Sequence, residues 1–122
     1  MRKLLKFTGL TLALLCALLL AVPAFAHSHP VSMTPAADST VAAPTEIAMH
    51  FSGDLEPKFS SITLSNATGH VVNIAQSAVA AGDAKLMTLA LPKLPAGVYT
   101  VDWVAVSVDS HRMTGSYKFT IQ

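Results

Sequence analysis

Apolar side chains recur at every second position through much of the chain, and that period marks half-buried strands. Ile47, Met49 and Phe51 alternate with Ala48 and His50. Residues 60–65 place Ile62 and Leu64 on one face. The apolar run 71–74 follows the turn Asn66-Ala67-Thr68-Gly69, so the two segments read as a hairpin pair. Met87, Leu89 and Leu91 alternate again. Residues 98–108 form the longest predicted strand, with Tyr99, Val101, Trp103 and Ala105 on one side. Tyr117, Phe119 and Ile121 close the chain in the same way. No stretch of the mature chain has the 3.6-residue spacing of a substantial amphipathic helix.

Turn chemistry separates these segments. Residues 35–39 and 43–45 bracket a loop, and Pro57, which cannot donate to a ladder, interrupts pairing after Leu55 and Glu56. Pro95-Ala96-Gly97 turns into the long strand. Short strands spaced this way predict an all-β fold, a Greek-key sandwich, with residues 27–30 left as a free arm.

The first 26 residues read differently. Arg2, Lys3 and Lys6 precede an apolar stretch over 10–22, then Pro23 and the small-residue site Ala24-Phe25-Ala26. This is the layout of a cleavable secretory signal, and the apolar run is too short to be a good membrane span. Cys16 lies inside it behind a leucine, which does not suit a lipidation site. Cleavage after Ala26 leaves one domain, residues 27–122, with five Lys and Arg against seven Asp and Glu. No basic stripe remains to suit a nucleic acid. No cysteine remains either, so any metal must be held by nitrogen, oxygen or thioether.

The mature chain would begin His27-Ser28-His29-Pro30. A free α-amine and Nδ1 of the same first histidine can close one chelate ring, and nitrogen donors favour Cu(II) among the divalent ions. Asp109 and His111 follow the long strand. On extended backbone, side chains two apart point the same way, so these two would face one point and complete an N₃O donor set. By itself Asp109-Ser110-His111 also suits an ordinary polar turn. His29 offers a competing local route, in which the amine, two backbone amides and its own imidazole take the metal. His50 and His70 read as solvent-facing or hydrogen-bonded. Met49, Met87 and Trp103 read as core.

Several stretches together resemble the CopC-type periplasmic copper-binding proteins. They are His27 with residues 30–39, the run Ile47-Ala48-Met49-His50-Phe51-Ser52, residues 95–103, and Val106-Ser107-Val108-Asp109-Ser110-His111 leading to Thr114-Gly115. The resemblance covers almost the whole mature chain and implies a seven-stranded cupredoxin-like or immunoglobulin-like sandwich. It also implies a periplasmic Cu(II) carrier or buffer, not an enzyme, with His27, Asp109 and His111 as ligands. Hand-over to an inner-membrane copper importer or another periplasmic copper protein would follow. Some members carry a methionine-rich mid-chain loop for Cu(I), which thioethers suit. Residues 64–70 contain no methionine, so a Cu(II)-only type is expected. The competing readings are a secreted immunoglobulin-like interaction module with incidental histidines, and a copper oxygenase. The latter lacks an evident aromatic platform for substrate.

Overall fold

The computed structural model describes residues 28–122, so the predicted signal segment and His27 lie outside the described residues. Eight strands run in the order β1 (Pro30–Thr34), β2 (Thr40–Val41), β3 (Glu46–Phe51), β4 (Ser61–Ser65), β5 (Ala78–Ala80), β6 (Asp83–Ala90), β7 (Gly97–Val106) and β8 (Arg112–Ile121). They form two four-stranded sheets, ordered β1-β3-β6-β5 and β2-β8-β7-β4. No helix occurs among the described residues. The expected all-β sandwich is correct, with one strand more than the expected seven.

The alternation places the core as the pattern requires. Ile47, Met49 and Phe51 from β3 and Met87 and Leu89 from β6 meet Ile62, Leu64, Tyr99, Val101, Trp103, Ala105, Phe119 and Ile121 from the other sheet. Phe51 meets Trp103 edge-on at 5.5 Å between centroids, an arrangement favoured by the ring quadrupoles. Met49 and Met87 are wholly buried, and Met33 and Met113 pack partly buried against the same cluster.

Three expectations need correction. Residues 71–74 do not form a strand, since pairing there is confined to a single bridge between Ser65 and Val71. Ile74 is 85% exposed. Beyond that bridge and the Val72 amide, which donates to the Leu64 carbonyl at 2.9 Å, side chains satisfy the outer edge of β4: the Leu64 amide donates to Asn73 Oδ1 at 3.0 Å and the Ile62 amide to Ser77 Oγ at 2.8 Å. These bonds cap the edge without a partner strand. The arm is not free either. Pro30 already opens β1, paired with β3, and Ser28 is 2% exposed. The third correction concerns Asp109-Ser110-His111 and is described with the site.

On the outer face of the β1-β3-β6-β5 sheet, His50 Nε2 lies 3.0 Å from Asp83 Oδ2. Its hydrogen bond is the main cause holding the Asp83 carboxyl below its ordinary 3.8, helped by the Lys85 amide. A depressed carboxyl stabilises the fold above the ordinary value and loses that contribution as pH falls through the folded value. Asp83→Asn should therefore flatten the acid limb of a stability-versus-pH curve below about pH 4, read by denaturant unfolding.

Candidate metal centre

Strand β7 ends at Val106, and residues 107–111 turn the chain back into β8. The Ser107 amide donates to the His111 carbonyl at 2.9 Å and the Ser110 amide to the Ser107 carbonyl at 2.8 Å. Ser110 takes a left-handed φ of 70°. This is turn geometry, not the extended backbone expected from the sequence. The turn nonetheless brings the two flanking side chains together: His111 Nδ1 lies 3.1 Å from Asp109 Oδ2. The Ser107 hydroxyl donates to Asp109 Oδ1. That bond first, and the His111 contact second, hold the Asp109 carboxyl below its usual range. Both side chains stand about half exposed at one end of the sandwich.

The N-terminal arm reaches this end through an intermediary, residues 52–55. On one side, the Ser52 amide donates to the His29 carbonyl at 2.9 Å, and the His29 amide donates to Ser52 Oγ at 3.0 Å. Ser28 packs against Gly53 so closely that a Cβ there would sit 2.7 Å from Ser28 Oγ, which explains a glycine at this position. On the other side, Leu55 bridges Ser107 and the Val108 amide donates to the Asp54 carbonyl at 3.2 Å. A four-residue segment thus ties residues 28–29 to the turn that carries Asp109 and His111.

Among the described residues, no group of three or more His, Cys, Asp or Glu forms a metal site. Asp109 and His111 supply one carboxylate and one imidazole, and the remaining candidate, His27, lies outside the described residues. The donor chemistry fits a borderline N/O-seeking ion such as Cu(II). Its carboxylate–imidazole contact is of the kind that orients metal-binding histidines. His29 Nδ1 faces Ser52 Oγ at 3.1 Å. His50 is engaged with Asp83, and His70 sits in an exposed turn with Nδ1 2.8 Å from Thr68 Oγ1. No pattern in the sequence alone marks Ser52 as a partner of this site. Ser107 stands two residues before the acidic member of the D-x-H element, the spacing that lets a hydroxyl hold it, and this was available as a signal.

Residues 30–122 match the CopC domain. "Copper resistance protein C" of Escherichia coli is 41% identical over 110 residues, covering 84% of this chain and 86% of that protein. The crystal structure of CopC from Methylosinus trichosporium OB3b superposes with a TM-score of 0.74 at 35% identity, over 79% of this chain and 94% of that one. That of PcoC, a methionine-rich copper resistance protein from Escherichia coli, superposes at 0.71 and 42% identity, over 80% of this chain and all of the other. With the sandwich, the docked arm and the D-x-H turn in place, this chain belongs to the CopC family.

Proposed function

We propose that the protein is a periplasmic copper carrier or buffer. In this reading it holds one Cu(II) between the α-amine and imidazole of His27, exposed by cleavage after Ala26, and the side chains of Asp109 and His111. The observation that carries the reading is the 52–55 segment, hydrogen-bonded to the arm at His29 and to the turn at Val108. It ties Ser28 and His29 to the same end of the sandwich as the acid–imidazole pair, which supports a site shared with the residue ahead of them. Relatives and structural neighbours that carry copper in their names support the metal.

The oxidation state is argued from what the thioethers do. Met49 and Met87 are wholly buried, and Met33 and Met113 are packed into the core flank. Burial takes Met49 and Met87 out of reach of an ion, whereas imidazole, amine and carboxylate suit Cu(II). His111 and His27 would be nitrogen ligands. Asp109 would supply an oxygen or, through its contact with His111, orient the ring. Copper delivered to an inner-membrane importer or another periplasmic copper protein would leave by the exposed rim of this site.

The test is to move the amine. A protein with one extra residue ahead of His27 should keep its fold by circular dichroism and lose Cu(II) affinity by on the order of a hundredfold, because it can no longer close the amine–imidazole ring. Equal affinity in competition with a chelator would remove the N-terminus from the site. It would then favour the interaction-module reading or a site elsewhere.

A further inference from the structure

A mature chain that begins His27-Ser28-His29 would carry a second, local way to bind Cu(II), and the two donors that His29 would give it are engaged in the structure. In that local mode the α-amine of residue 27, the backbone nitrogens of Ser28 and His29, and Nδ1 of His29 would surround the ion in one plane. Two of those four donors belong to His29. Both are engaged by one hydroxyl: the His29 amide donates to Ser52 Oγ at 3.0 Å, and His29 Nδ1 lies 3.1 Å from the same atom.

The rest of the arm is set against wrapping as well. The His29 carbonyl accepts from the Ser52 amide, Pro30 is already in register with Phe51, and Ser28 is buried against Gly53. A planar chelate through residues 27–29 would have to pull these contacts apart. The folded site uses no donor atom of Ser28 or His29, so it leaves them all in place.

We propose that Ser52 is a positioning residue that selects the copper-binding mode. By holding the amide and Nδ1 of His29, it keeps the arm from chelating Cu(II) locally and directs the ion to the site shared with Asp109 and His111. The inference rests on the copper reading above and on a mature chain that begins at His27. His29 is thereby a restrained competitor and not a further ligand.

The hydroxyl can be removed without dismantling the arm. Ser52 is exposed, and its backbone bond to His29 survives substitution. The experiment compares Cu(II) electron paramagnetic resonance and visible circular dichroism at one equivalent for wild type, Ser52→Ala, Ser52→Thr, His111→Ala and the double variant Ser52→Ala/His111→Ala. All begin at His27, and a peptide of residues 27–32 supplies the spectrum of the local mode.

Ser52→Ala should show a component with the peptide's four-nitrogen spectrum, and Ser52→Thr, which keeps the hydroxyl, should restore the wild-type spectrum. The double variant should bind Cu(II) about tenfold more tightly than His111→Ala alone, the effect of releasing the two contacts. A Ser52→Ala spectrum identical to wild type, with no gain in the double variant, overturns the inference and leaves the folded site standing. A wild-type protein that already gives the peptide spectrum overturns the folded site itself, and this inference with it.

Discussion

His111→Ala will lower Cu(II) affinity by on the order of a hundredfold or more while leaving the apo fold unchanged. Loss of an outer partner of a metal ligand already costs 10- to 100-fold, and loss of a ligand should exceed that. The structure explains why the fold survives. His111 sits in an exposed turn, and its carbonyl, which accepts from the Ser107 amide, remains in the variant. Asp109→Ala should cost less, about tenfold, because water can replace a carboxylate oxygen and the ring keeps its nitrogen. Chelator competition followed by Trp103 fluorescence or by absorbance reads both variants. A larger loss for Asp109→Ala would mean that the carboxylate, not the imidazole, dominates the site.

The largest effect on stability is expected at a residue that touches no ligand. Gly115 lies directly across the β7–β8 ladder from Trp103, whose indole crosses over it. A Cβ at 115 would fall 2.3 Å from Cζ2, 2.6 Å from Cε2 and 2.8 Å from Nε1 of that ring. These are ring atoms of a side chain 8% exposed and packed edge-on against Phe51, so they cannot swing aside cheaply. Gly115→Ala should destabilise the domain by about 3 kcal/mol, the upper part of the range for overpacking. For a domain of this size that is roughly 10–20 °C in Tm. A calorimetric loss of only a degree or two would show that the indole has somewhere else to go. Because β8 begins just beyond His111, the same variant should also loosen the turn that carries Asp109 and His111.

Much of the sandwich was legible because buried strands leave a period-2 record. Strands β3, β4, β6, β7 and β8 each bury alternate apolar residues, and each was visible as such. The three strands that were missed lack that record. In β1 only Met33 packs against the core, and Pro30 opens the strand at a sheet edge, where a missing amide is tolerated. Strand β2 is two residues long, and β5 is Ala78-Val79-Ala80, with too little apolar contrast to read. The opposite error occurred at residues 71–74, where an apolar run suggested a strand but Asn73 and Ser77 had taken the edge of β4.

The candidate site was legible as residue types and not as geometry. The spacing and the family resemblance point to Asp109 and His111, but extended backbone does not bring them together. The turn at Ser110 does so instead. Ser52 was invisible because its role depends on the register of β1 against β3, which no local pattern encodes. Gly115 was noticed only as part of a motif, and its physical reason is the indole above it.

In the proposed site the N-terminal histidine and the D-x-H turn hold one and the same ion. A double-mutant cycle tests it most directly. Cu(II) affinity would be measured by chelator competition for the protein beginning at His27, for a form extended by one residue, for His111→Ala, and for the extended His111→Ala form. Ligands of one ion are strongly coupled, so the double variant should bind only slightly more weakly than the weaker single variant. Losses that simply add would place the two groups in separate sites, and an unchanged His111→Ala protein would leave copper on the arm alone.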